Sequence, residues 1–221
     1  MALITWKDIK DSKEINAYLE KGNQTLGTLG YTDHSRIHAA KVSAMAGRIL
    51  ERLGYDRRTV ELARIAGYMH DIGNCVNRND HAHSGALLAR QVLCGMKMDF
   101  EEIAQIINAI GMHDEKTGGA VDAISAALIL ADKTDVRRDR VRNQNQAAFD
   151  KHDRVNYAVV ASSVTIHKDK KVIKLELKLD ENICSMMDYF EIFIQRMLMC
   201  RRAASVLGMT FKLNANGNKI C

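Results

Sequence analysis

Apolar side chains recur every three to four positions up to about residue 135, the period of helices with one buried face. The pattern is weak over 11–26, where Gly27 and Gly30 close the segment. It is clear over 34–53, where Val42, Met45 and Ile49 share a stripe, Asp33 is the expected N-cap and Gly54 the stop. Leu62, Ala66 and Met69 mark a helix over 57–71, and a polar loop from Asn74 to Asp80 leads to another over 81–94. Ile103, Ile106, Ile107 and Ile110 define 99–112; after Gly118 and Gly119, Ile124 and Leu128 define 120–135.

Near residue 152 the period changes. The runs Tyr157 to Ile166 and Lys171 to Leu179 are rich in Val, Ile, Leu and Thr. In the second, Ile173, Leu175, Leu177 and Leu179 alternate with Val172, Lys174, Glu176 and Lys178. A polar turn over 167–170 separates them, so a β-hairpin is expected. A long helix over 182–207 follows, and a strand from Thr210 to Leu213 is placed to extend the hairpin. A hairpin alone is marginal in water, so it should pack on that helix or pair with a partner, which makes a homo-oligomer through this segment conceivable. The charged, Gln/Asn-rich stretch 136–154 is the expected linker. The fold class that results is mainly α: a helical bundle over 1–150 with a small α+β appendage over 151–221.

Composition narrows the class. A chain of 221 residues suits one domain with an appendage, and the absence of proline agrees with a helical chain. The 47% hydrophobic and 27% charged content is that of an ordinary globular protein. No apolar run reaches about 18 residues, so no membrane span is expected. The N-terminus lacks the basic and apolar regions of a signal peptide. Five cysteines without metal-type spacing fit free thiols in a reducing cytosol, and the expected location is cytoplasmic. A net charge of +5 suits an anionic small molecule. Nucleic-acid binding through Arg137, Arg138, Arg140 and Arg142 is disfavoured, because Asp135 and Asp139 interleave them with few aromatics.

Histidines and aspartates gather at the ends or inner faces of the expected helices. His70 and Asp71 stand side by side where a helix gives way to Gly73. His38 continues the stripe of Val42, Met45 and Ile49; it is either a ligand or a core imidazole bonded to a carbonyl, and His34 one turn earlier competes for the role. Asp132 lies four residues after Leu128 on an apolar face. A carboxylate there must be metal-bound or paired with a cation such as Arg137. His113 extends the isoleucine face of its helix, with Asp114 and Glu115 as rival donors, and His81 and His83 open the helix after the polar loop. Imidazole and carboxylate together suit Mn, Fe, Co, Ni or Zn without selecting one.

These residues resemble the HD-domain superfamily of metal-dependent phosphohydrolases over roughly 31–142. The order is His38, His70-Asp71, Asp132, all on helices. His38 followed by Val42 resembles the family's opening, and Ala66 through Gly73 resembles its signature helix end. His81 with Gly85 and Ala86, and Ile110 to His113, resemble segments of members with extra histidines; Leu130 to Lys133 resembles the closing motif. Members with all of these are similar to cyclic-dinucleotide phosphodiesterases and dinucleoside-tetraphosphate hydrolases. The chain has Asn74 where many members have lysine, and it lacks the Gly-Tyr-Pro motif of one branch. Its C-terminal segment matches nothing in the family.

The resemblance implies that His38, His70, Asp71 and Asp132 hold one divalent transition metal. His81 and His113 then hold a second ion or contact a substrate phosphate. Asp71, Lys133 and Arg137 are the expected catalytic side chains, with Arg137 first among the nearby cations for contact with phosphate, whereas His152 and His167 are expected outside the site. The implied partner is a phosphorylated small molecule, a nucleotide first of all. The competing reading is a noncatalytic nucleotide-sensing or interaction domain that keeps the pocket.

Overall fold

The computed structural model describes residues 3–143 and 149–220. The chain opens with two helices in place of one: α1 (Trp6–Asp11), closed at its start by a reciprocal Thr5–Asp8 capping box, and α2 (Lys13–Thr28). Then come α3 (Arg36–Leu53), α4 (Arg57–Met69), α5 (His81–Gly95), α6 (Phe100–Gly111) and α7 (Ala123–Lys133). The cap of α3 is Ser35, not Asp33. Asp33 sits too early and instead accepts the Ser35 hydroxyl at 2.6 Å, steadying the residue that does cap.

The bundle is built around α3, α4 and α7, which pack on one another, with α6 against α4 and α7 and α5 against α6. Ile49, Leu50, Ile65, Met69, Ile106, Ile110, Leu128 and Ile129 are among its fully buried side chains. Two glycines permit close backbone approach. A Cβ on Gly67 would lie 2.8 Å from the Ser43 Cα of α3, and one on Gly73 would lie 2.0 Å from the His81 carbonyl oxygen. Gly73 belongs to a single 3-10 turn (Ile72–Cys75) that follows α4, so the end of α4 is clamped between α3 and the start of α5.

The stretch expected as a linker is packed against the rest of the protein where it is described. Residues 144–148 of it lie outside the described residues. Before them, Arg140 is buried and Arg142 donates to the Tyr31 carbonyl at 3.1 Å, so this segment is pinned to the loop ahead of α3. After them, α8 (Lys151–Ala158) takes up Tyr157, and the first strand begins later than expected. The hairpin is β1 (Val159–His167) and β2 (Val172–Leu179), antiparallel. Helix α9 (Met186–Val206) then crosses over, and β3 (Thr210–Ala215) joins β2 in parallel, Ile173 opposite Phe211 and Leu175 opposite Leu213. A short β4 (Asn218–Lys219) completes the order β1-β2-β3-β4. The alternating side chains of β2 and β3 bury one sheet face, and α9 packs on both β3 and α7. Among the described residues no helix is long and apolar enough to cross a membrane.

Gly67→Ala should destabilise the protein by roughly 1–3 kcal/mol, because the obstacle is backbone that cannot yield as a side chain would. Gly95→Ala, with open space around its Cβ, should leave the melting temperature unchanged or slightly raised. Thermal melts of the two variants beside the wild type check this contrast.

Candidate metal centre

Helix ends supply the histidines and aspartates of the centre. His38 lies in the first turn of α3, His70 caps the end of α4 and Asp71 follows it. His81 opens α5, His113 follows α6, and Asp132 is the penultimate residue of α7. Five of the six are buried, at 0–4% exposure, and the Asp132 side chain is 12% exposed. Three overlapping sets form: His38, His70 and Asp71; His70, His113 and Asp132; Asp71, His81 and His113. Within each, potential ligand atoms lie within 4.8 Å of one another.

The imidazoles share one hydrogen-bonding scheme. Nδ1–H donates to the Gly67 carbonyl from His70 (2.8 Å), to the Arg78 carbonyl from His81 (3.1 Å) and to the Ile110 carbonyl from His113 (2.6 Å). His38 donates from Nδ1 to Asp135 Oδ2 at 2.7 Å. A carbonyl or carboxylate can only accept, so each of these rings carries a hydrogen on Nδ1 and, in its neutral form, points an Nε2 lone pair inward. His81 Nε2 and His113 Nε2 face each other at 3.2 Å. His38 Nε2, His70 Nε2 and Asp71 Oδ2 are buried without a hydrogen-bond partner among the described residues. Converging lone pairs and an orphaned carboxylate oxygen are what a divalent cation satisfies, and the mixed imidazole–carboxylate set fits the first-row transition metals.

Of the two competing histidines, His38 is the one that enters these sets. His34 lines the adjoining cavity, its ring 5.6 Å from that of His38, with Nδ1–H donating to the Thr32 carbonyl at 2.8 Å. Asn74, where lysine is common in the family resembled, donates to Asp71 Oδ1 at 2.8 Å and leaves Oδ2 for the centre. Lys133 Nζ stands 2.7 Å from Asp132 Oδ2 and 3.7 Å from Glu115 Oε1. Arg137 does not line the cavity: it donates from Nε to Asp135 Oδ1 at 2.6 Å and also pairs with Asp139. Asp135 was not singled out in the sequence. Its signal was there, a second carboxylate one turn after Asp132 and followed by arginines, but nothing local shows that His38 lies opposite, 97 positions away.

The cavity beside the centre measures about 890 Å³ and is walled by Tyr31, Arg78, Lys116, Arg140 and Arg196 together with Asp71, His81, His113 and Asp132 of the cluster. His152, expected outside the site, lines it too, because α8 folds over the cavity. His83 is exposed, its side chain at 57%.

Burial holds the His34 and His113 imidazoles well below the ordinary histidine value and lowers that of His81. Burial also opposes a charge on His70, but the Asp71 and Asp132 carboxylates outweigh it and raise its pKa. For Asp71 and Asp132 burial is overcome by neighbouring cations, His70 first for Asp71 and Lys133 first for Asp132, and both lie well below the ordinary carboxylate range.

A family model described as HD domain matches residues 36–191. An uncharacterized protein of Methanocaldococcus jannaschii is 26% identical over 196 residues, 78% of this chain and 74% of the relative. Ribonuclease Y of Deinococcus radiodurans is 34% identical over 109 residues, 44% of this chain but 17% of that protein. Ribonuclease Y of Aquifex aeolicus is 30% identical over 122 residues, 54% of this chain and 20% of that protein. The chain thus spans about a fifth of these ribonucleases. Among solved structures, a predicted HD superfamily hydrolase from an uncultured Thermotogales bacterium is similar at 26% identity and a TM-score of 0.44, over 57% of this chain and 68% of that one.

Two outcomes are expected. Asp135→Ala should weaken divalent-metal binding about 10–100-fold in calorimetric titration, because His38 loses the group that fixes its tautomer; Asp135→Asn, which still accepts from Nδ1, should lose less. The second concerns acid. Below about pH 6.5 an unfolded histidine takes up protons that folded His34, His81 and His113 refuse, so their contribution to stability is lost as the pH falls. Asp71 and Asp132 stabilise above the unfolded carboxylate value and lose that contribution as the pH falls through their lowered folded values. His70 has the opposite sign, favouring the fold below about 6.5 and ceasing to do so as the pH rises through its raised value. From pH 7 to about pH 5 three histidines act against one, and below about pH 5 the two carboxylates add to the loss, so the melting temperature of the metal-free protein should fall from pH 7 to pH 4 and fall more steeply at the acid end. A rise on acidification would contradict the assignment.

Proposed function

Because this chain belongs to the HD domain family, we propose that it is a metal-dependent phosphohydrolase that cleaves a phosphoester bond in a nucleotide or related phosphorylated small molecule. The observation that carries the reading is the inward convergence of four Nε2 lone pairs with the Asp71 and Asp132 carboxylates beside a cavity lined with cationic side chains. His38, His70, Asp71 and Asp132 would hold one cation; His81 and His113, with Asp71, would hold a second or face the substrate phosphate. A bound divalent ion acidifies water and polarises a phosphoryl oxygen.

The protein's own groups do the rest. The Nδ1 hydrogen bonds keep the imidazoles from turning, so their lone pairs need no reorganisation. Asn74 holds one oxygen of Asp71, which leaves the other to hold the cation beside which the attacking water would be activated. Lys133, flanked by Asp132 and Glu115, places a fixed positive charge at the wall where phosphoryl charge would develop. Arg137, expected on phosphate, is assigned here to Asp135, which it braces from behind His38. Ribonuclease Y is by name an enzyme of phosphoester cleavage in RNA, and RNA is therefore one arm of the test.

Protein loaded separately with Mn, Fe, Co, Ni or Zn should release phosphate or a nucleotide from a panel of mononucleotides, cyclic dinucleotides, dinucleoside polyphosphates and short RNA. Asp71→Ala should lower turnover about 100-fold or more and strip metal, with far-UV circular dichroism unchanged. Stoichiometric metal without turnover on any arm would favour the noncatalytic sensor instead.

A further inference from the structure

We infer that Arg196, on α9, is a phosphate-binding residue of this cavity, so that the C-terminal segment completes a site whose candidate metal ligands all come from the first 132 residues. Its role in turnover rests on the phosphohydrolase reading; its binding of phosphate does not. Arg196 lies beyond the residues 36–191 matched by the family model, and nothing in the family's motifs points to it.

The guanidinium is held on one edge and one face. Nε donates to Glu115 Oε1 at 2.9 Å, and the guanidinium carbon lies 4.3 Å from the centre of the Phe193 ring. Its two terminal amino groups have no hydrogen-bond partner among the described residues, and the side chain, 23% exposed, lines the cavity. Glu115 also neighbours Lys133 at 3.7 Å, which in turn meets Asp132 at 2.7 Å, so a chain of charges ties Arg196 to the edge of the metal centre. An arginine kept only for structure would spend its fork on protein. One stacked and anchored with the fork open is set to accept two oxygens of one anion, a geometry that phosphate matches.

The other arginines of the cavity each spend a terminal amino group on the protein. Arg140 donates to the Asp33 and Asp135 carbonyls, and Arg78 donates to Asn74 Oδ1 and His81 Nε2. Lys133 sits between two carboxylates, and Lys116 is exposed on its loop. Among the described arginines of this wall, Arg196 is the one anchored through Nε with both terminal amino groups left without a hydrogen-bond partner.

Inorganic phosphate and pyrophosphate binding can be measured calorimetrically on full-length protein, metal-free and Mn-loaded, for the wild type, Arg196→Ala, Arg196→Lys and Arg201→Ala. Arg201 is exposed on the same helix, so its loss matches the change in net charge. Arg196→Ala should weaken phosphate binding about tenfold or more, Arg196→Lys should fall between, and Arg201→Ala should bind as the wild type does. Mn affinity should stay within about twofold in all of them, and where Arg196→Ala melts early, Arg196→Lys supplies the comparison. Wild-type phosphate affinity in Arg196→Ala and Arg196→Lys, equal losses in Arg196→Ala and Arg201→Ala, or no phosphate binding by the wild type would each overturn the inference. Phosphate binding through Arg196 by a protein that hydrolyses nothing on the panel would retire the phosphohydrolase reading and leave this inference standing.

Discussion

Two carboxylates and four imidazoles are buried together at one end of the bundle, and the rest of the molecule answers to that. Charge taken out of water is costly unless it is paired. Here pairing is incomplete among the described residues: His38 Nε2, His70 Nε2 and Asp71 Oδ2 have no hydrogen-bond partner there. Lys133 relieves Asp132 and Asn74 relieves half of Asp71, but the centre keeps more acceptors than donors. A divalent cation fits that imbalance in both sign and number of lone pairs. The same Nδ1 bonds that orient the rings also prevent the histidines from relaxing into ordinary core contacts.

Helix packing exists in this form because those side chains must meet. Gly67 lets α4 approach the backbone of α3 at Ser43, bringing His70 towards His38, and Gly73 lets the following turn touch the start of α5 at His81. Behind the centre, Asp135 joins three parts of the chain: it accepts from His38, is gripped by Arg137, and its carbonyl receives Arg140, which also reaches the Asp33 carbonyl. The loop before α3 and the segment after α7 are thereby locked around one imidazole. The arginines after Asp132 act as internal braces, which explains why a run that looks like a basic patch presents interleaved acids.

The C-terminal segment is more than a cover. α9 lies between the small sheet and α7, so the hydrophobic face of β2 and β3 is buried by the same helix that carries Phe193 and Arg196 to the cavity. α8 closes another side with His152 and Asn156. The family match runs through residue 191 and so takes in α8 as well as the centre, whereas Phe193 and Arg196 lie beyond it.

Local periodicity determined much of this protein. A 3.6-residue stripe shows which face of a helix is buried, and so the helices of 34–135, the inward setting of His38 and Asp132, and the His70-Asp71 helix end were legible, as were the hairpin and the alternation of β2. What one face meets was not legible, because a helical pattern carries no address for its partner. Only the tertiary structure chose between His34 and His38, drew Arg137 away to Asp135, and set Glu115 against Arg196, 81 positions apart. The strand after α9 was visible as a strand, but its parallel pairing with β2 follows from the crossover helix, a property of the path and not of the residues. α8 was missed because its short, polar run has almost no apolar stripe of its own; it is held by the cap at Asp150 and by the surface it folds against.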